Sequence, residues 1–421
     1  MLDLLFHSKT AFRNQELKIQ QAASIVSIES MKNAATEVKK LKNSPLESIS
    51  CCGVSLDGTW QKRGYSSHDG CVSCISIYTG KILDIEIMSR FCRICLKKAK
   101  VPDAASNAHV CCNHMGSASS METVGAYRIF ELSEYHRKLQ YTDYYGEGDC
   151  KAYESVKSMY APNTVNKLEC IGHVQKRAGS HLRKLKKKYV KGLGEKGKLT
   201  DNFIDKLQKY YGIAIRSNTK KLATMQNAVI AAFYHCCSSA KKSMHGQCPT
   251  GTDSWCKFQK AKALVKIFTA KAPGLPQNIL NIVKPRYFKL CDQKLLEKCL
   301  HGLTQNANES FDGVLWNIVP KQNFVELQSL KLGAYIAVLQ FNVGASGLLK
   351  VINKLGFNAG SYMIRVLKLY DYRRINEAER HSLPFTKLKR KKKKKKHELS
   401  ERKKGLHQEE KEGVTYHSGE F

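Results

Sequence analysis

A chain of 421 residues with 42% hydrophobic content is long enough for two ordinary domains, or for one domain carrying a large insertion, and it can bury a sizeable core. Its 70 Lys and Arg against 36 Asp and Glu give a formal net charge of +34, which points to a polyanionic partner and away from a small-molecule substrate. Residues 387–404 hold 12 basic and 2 acidic residues, so they supply +10 of that charge and leave +24 on the rest; the body is basic as well as the tail.

The N-terminal stretch "MLDLLFHSKTAFRNQELK" does not read as a secretory signal, so the sixteen cysteines are expected to be free thiols in a reducing compartment. Residues 1–47 form a helical N-terminal segment, with apolar positions at helical spacing over 9–47 predicting one or two surface helices without a DNA-binding signature. From 48 to 91 the runs "SISCCGVSLDGTW", "GCVSCISIYTG" and "KILDIEIMSRF" predict three short antiparallel strands, the first ending at Asp57 and the last two joined by a turn at Thr79-Gly80.

A Cys/His-rich loop (92–114) leads into the helix-prone "SMETVGAYRIFELSEYHRKL". The strand-like "LQYTDYYGEGDCKAY" comes next, with Asp149 in a Gly-flanked acidic turn, and then "NKLECIGHVQ" and the basic helix "RAGSHLRKLKKKYV". Three antiparallel strands, a helix, and further strand and helix units predict a mixed α/β domain with an RNase H-like core over 48–197. Residues 198–305 read as a mostly helical insertion, and 306–380 as the C-terminal part of the same catalytic domain. There Phe311, Val314, Leu315 and Ile318 mark an amphipathic helix with Glu309 in its first turn and Asn306 or Asn308 as its cap.

The apolar stretch 332–352 is interrupted by Gln340, Asn342 and Lys350, which predicts a buried helix pair and no membrane span. Residues 381–421, with lysines at 391–396, predict a disordered basic tail for nuclear import, phosphate binding or both, so the expected location is the nucleus.

Asp57 at the end of a first strand, Asp149 at the end of a later one and Glu309 on a following helix would converge at one edge of such a sheet. Three carboxylates there suit Mg²⁺ or Mn²⁺, a two-metal arrangement for phosphodiester chemistry. Taken singly, each acid also reads as a turn former or a dipole complement. Lys62 and Arg63 lie beside Asp57 as candidate phosphate contacts, and Lys176, Arg177, Arg183, Lys184 and Lys187 crowd one predicted helix as a DNA surface or a solvated face.

Cys92, Cys95, His109 and Cys112 approach zinc spacing, with Cys111 and His114 competing; the other reading is buried free thiols. Cys170-x-x-His173 is either a zinc pair or structural. His245, Cys248 and Cys256 form a partial metal set that Cys236 or Cys237 would complete, whereas Cys71-x-x-Cys74 in a strand points to opposite faces. Trp60, Trp255 and Trp316 each flank a motif, as base-stacking platforms or as core.

"SLDGTWQKRG", "YYGEGDCKAY", "LECIGHVQKR", "CPTGTDSWCK" and "TQNANESFDGVLWNIVPK", in that order, resemble the Mutator-like DDE transposase domain of animal mobile elements. The resemblance implies an RNase H-like fold with a helical insertion, a catalytic triad of Asp57, Asp149 and Glu309, and cut-and-paste movement of an element with terminal inverted repeats. Water would attack a phosphodiester at the element end, and the freed 3′-hydroxyl would then attack double-stranded target DNA. A homo-oligomer is expected because two ends must be paired. The chain departs from the family pattern at "GEGDC" and at Asp312, where Asn is typical. Two other readings use the same charge: a domesticated, catalytically inactive DNA-binding protein, and a structural RNA-binding protein, against which the absence of aromatic RNA-binding motifs counts.

Overall fold

A computed structural model describes residues 8–62, 67–93, 95–96, 113–146, 151–188, 199–269, 274–390, 392–393, 397 and 400. Its contacts divide the chain into two units, 1–342 and 343–421.

The first unit opens with one helix, α1 (Lys9–Leu41), where the sequence suggested one or two surface helices. Ser8 caps it by accepting the Ala11 N–H at 3.2 Å. Ala22, Ala23, Val26, Met31, Ala34, Ala35 and Val38 form a buried stripe, so much of α1 belongs to the core. Small residues on this stripe let it lie close to α12 (Leu327–Asn342), which offers Gly333, Ala334, Ala337 and Val338 in return.

A five-stranded sheet comes next, built from β1 (Ser50–Trp60), β2 (Asp69–Ser76), β3 (Ile82–Ser89), β4 (Leu139–Gly146) and β5 (Asn166–Glu169), in the order β3-β2-β1-β4-β5. The first three are antiparallel, whereas β4 runs parallel to β1 and β5 parallel to β4. β2 and β3 meet at Gly80, whose φ of +68° is the left-handed backbone the tight turn needs. β1 does not stop at Asp57: it continues to Trp60, because Gly58, Thr59 and Trp60 keep their register against Val72, Cys71 and Gly70. The mixed α/β class expected from the sequence is present.

One face of the sheet packs on α2 (Ser120–Glu131) and α4 (Lys151–Val156), which are separated in sequence by the short α3 (Ser133–Arg137). Gly125 allows this approach, since a Cβ there would stand 2.6 Å from Val72 Cγ2. The other face packs on α11 (Asn306–Ile318) and α12. Cys71 and Cys74 lie in the two different cores, as three-residue spacing in a strand requires.

Between β5 and α11 the chain makes a long helical excursion: α5 (Ile171–Lys188), α6 (Asp201–Arg216), α7 (Leu222–Cys237), α8 (Lys257–Ala263), α9 (Gln277–Phe288) and α10 (Gln293–Glu297). This lobe has its own apolar core, which begins at Ile171, so the basic helix α5 shares it. Its two roots lie side by side: Glu169 N–H donates to Lys298 O at 2.9 Å and Ile171 N–H to Leu303 O at 3.3 Å. His301 ties the roots together, with Nε2 placed 3.0 Å from both Glu169 O and Lys298 O and Nδ1 accepting the Leu303 N–H at 2.8 Å.

In the second unit, α13 (Gly347–Lys354) and α14 (Ser361–Ser382) are joined through Asp371, whose carboxylate accepts from Ala345 N, Ser346 N and Ser346 Oγ. Leu383 is extended before Pro384, which ends α14. Residues 384–390 and 392–393 are helical where a disordered tail was expected, since lysine and arginine are good helix formers; most of the chain beyond residue 393 lies outside the described residues. No described helix is long and apolar enough to cross a membrane.

Because His301 satisfies three backbone groups at the roots, His301→Ala is expected to cost about 1–3 kcal/mol in urea unfolding of the intact chain.

Candidate active site

Side chains alternate along a strand, so Ser55, Asp57 and Thr59 of β1 share the face toward α11. Three contacts fix α11 on that face. Gln305, the residue that begins the helix, donates from Nε2 to Leu56 O at 2.9 Å. Asn308 accepts from Ser55 Oγ at 2.6 Å and donates from Nδ2 toward Ser55 O and Ser73 O, each at 3.3 Å, and Ser73 Oγ at 3.0 Å. Trp316 Nε1 donates to Thr59 Oγ1 at 2.8 Å. Neither Asn306 nor Asn308 caps the helix as the sequence suggested, because Asn308 is turned inward across the sheet.

This clamp sets the position of two of the three expected acids. Asp57 pairs across the ladder with Ser73, the residue that Asn308 grips. Glu309, next to Asn308, projects from the first helical turn with its side chain 59% exposed and Oε1 3.9 Å from Lys176 Nζ. The structure therefore brings Asp57 and the first turn of α11 to one neighbourhood. Asp149 lies outside the described residues, and β4 ends three residues before it at Gly146, with Tyr145 paired to Ser55.

A further carboxylate, Asp312, lies one turn on from Glu309. Burial pushes its carboxyl up to about 6, against the pull of the neighbouring Thr59 and Lys321, and its Oδ1 is buried without a hydrogen-bond partner. Asp312 thus lies against Thr59 of β1 and near Glu309, but Asp57, Glu309 and Asp312 do not gather into a cluster of three potential metal ligands among the described residues. Sequence reading registers Asp312 only as a departure from a family pattern; its i+3 spacing from Glu309 is the available signal.

The expected phosphate contacts divide. Lys62, Lys184 and Lys187 are exposed, whereas Arg63 lies outside the described residues. Arg177 is paired with the buried Glu169 and Arg183 with Asp205, so part of the charge on α5 is used within the fold. Lys176 instead faces Glu309. A cavity of about 520 Å³ is lined by Arg177, His181, Lys184 and Lys188 of α5, Arg286 of α9 and Lys289 just after it, a concentration of five cations. Trp60 and Trp316 have their indole N–H groups bonded inside the fold, and Trp255 is half exposed.

Of the Cys/His sets, Cys92 and Cys95 are described while His109 and Cys112 are not. His114 is buried, with Nε2 3.2 Å from Ser117 O and 3.0 Å from Ser120 Oγ. Cys170 Sγ accepts the Gln305 N–H at 3.4 Å, and neither it nor His173 joins a cluster of three potential ligands among the described residues. Such a cluster does form from His235, His245, Cys248 and Cys256, whose ligand atoms lie within 4.8 Å of one another, and it could hold a metal such as zinc. The fourth member is His235, not Cys236 or Cys237: those two thiols are buried in the lobe core, and successive helical residues point about 100° apart.

The folded Asp312 carboxyl titrates above an unfolded aspartate, so the stability it contributes is full below about pH 4 and is lost as pH rises through about 6. Asp312→Asn is expected to flatten that decline and to be the more stable protein at about pH 7.5, checked by denaturant unfolding in chelator-containing buffer across this range.

Residues 1–256 match the family model of Mutator-like transposases. No curated protein and no solved structure matches the chain. The matched segment carries β1 to β5 and all four residues of the His/Cys cluster, and stops before α11. With more than half its length so matched, the chain belongs to the Mutator-like transposase family.

Proposed function

We propose that this chain is a DDE transposase that cleaves DNA at the terminal inverted repeats of a mobile element and transfers the freed strand to target DNA. The reading is supported before all else by one observation: Gln305 and Asn308 clamp α11 to β1, the central strand, so that Asp57 lies on the sheet face covered by the turn that bears Glu309. We infer an RNase H-like core from three antiparallel strands followed by two parallel ones, with a helical lobe inserted before α11. In this reading Asp57, Asp149 and Glu309 would hold two Mg²⁺ or Mn²⁺ ions, which when bound supply activation of the attacking oxygen and stabilisation of the leaving one.

The chain's own residues do the rest. Lys176, close to Glu309, would hold a phosphate against the acidic edge, while Lys62, Arg63, Lys184 and Lys187 would track the backbone on either side. Arg177 and Arg183, paired to Glu169 and Asp205, would instead keep α5 in place. The chain would act in the nucleus as a homo-oligomer holding two element ends.

A strand-cleavage assay with Mg²⁺ or Mn²⁺ on duplexes carrying the flanking inverted repeats is the test. Asp57→Asn, Asp149→Asn and Glu309→Gln should each fall to background while still binding the duplex. Equal cleavage by the native chain and these variants would remove the mechanism. Binding without cleavage by the native chain would instead identify a domesticated descendant. Lys184→Gln with Lys187→Gln should weaken duplex binding whatever its sequence and reduce the slope of log affinity against log salt by about 0.9 for each lost phosphate contact, measured by a salt titration.

A further inference from the structure

The helical lobe carries a stretch with little to hold it. After α7 ends at Cys237, residues 239–256 run as irregular chain to the start of α8, and over 239–263 the only buried apolar side chains are Cys248 and Cys256. Such a loop is nevertheless drawn tightly inward. His235 comes from the last turn of α7, His245 and Cys248 from the loop, and Cys256 from the residue that begins α8.

Their donor atoms converge. Cys248 Sγ lies 3.7 Å from His235 Nδ1 and 3.8 Å from His245 Nδ1, and Cys256 Sγ lies 3.6 Å from His245 Nδ1. Ligands roughly 2.0–2.3 Å from one tetrahedral ion stand about 3.3–3.8 Å apart, so these separations are those of a tetrahedral ligand shell. The outer contacts orient the same atoms. His245 Nε2 meets Ser238 Oγ at 3.0 Å, which leaves Nδ1 facing the thiols, and Gln259 Nε2 fixes the backbone by donating to His245 O at 2.8 Å. Tyr210 stacks on His235 and Phe258 on His245, with Trp255 edge-on to His235, so the imidazoles sit in an aromatic box.

We propose that His235, His245, Cys248 and Cys256 bind one structural Zn²⁺, each histidine through Nδ1, and that this ion takes the place of an apolar core for the loop between α7 and α8. Two thiolates and two imidazoles in tetrahedral array select a borderline-soft ion over Mg²⁺ or Mn²⁺. Four protein ligands close the shell, so the centre is a staple and has no part in the phosphodiester chemistry. It stands independently of the catalytic reading.

The test is the zinc content of the intact purified chain, measured by mass spectrometry of the metal. Cys256→Ser and His235→Ala should each contain one equivalent less than the native chain, whereas Cys237→Ala, which alters the neighbouring core thiol, should lose none. Cobalt reconstitution of the native chain should give tetrahedral absorption with a thiolate charge-transfer band that is absent from Cys248→Ser/Cys256→Ser. Should a variant fail to fold, the native chain decides alone: chelation should open Lys241, Lys242 and Lys257 to trypsin, and added Zn²⁺ should close them again. Unchanged zinc in both single variants, cobalt without a thiolate band, or a metal-stripped loop as resistant as the loaded one would overturn the proposal.

Discussion

Everything at the acidic edge depends on a short set of buried polar bonds between α11 and β1. Asn308 is fully buried and reaches Ser55 and Ser73 on two adjacent strands, while Gln305 reaches Leu56 O. A buried amide is tolerated only when its partners are supplied. That condition is also a constraint on register, since a one-residue slip of β1 would take Ser55 and Asp57 to the opposite face. The same bonds that hold the helix therefore decide where the two carboxylates sit.

Much of this arrangement is legible in the sequence. Alternation and turn residues announce three antiparallel strands, and helical spacing announces α11 and a helical lobe. The end of β1 is hidden because an aspartate before glycine resembles a turn, whereas ladder pairing to β2 carries the strand past it to Trp60. Asn308 passes for a cap because a polar residue near a helix start has that local use; its actual partners lie about 250 positions away in sequence, where no local pattern reports them. Asp149, His109 and Cys112 fall outside the described residues.

His235 escapes a reading of the sequence for a related reason. Two cysteines come directly after it and attract attention by their type, but on a helix adjacent residues face different ways, and these thiols are spent on the lobe core. His301 gives no signal at all: it belongs to no motif, and its role is set by backbone groups that come together only when the lobe closes on itself.

The pairing of the lobe's two roots has a mechanical consequence. The outgoing strand leaves at Glu169, the returning chain passes Lys298 and Leu303, and α11 begins at Gln305 with its N–H on Cys170. The lobe thus works as a lever with a narrow fulcrum, and that fulcrum lies one helical turn from Glu309. Any displacement of the lobe would pass through the end of β5 and the turn that carries Glu309 together, because both roots meet there.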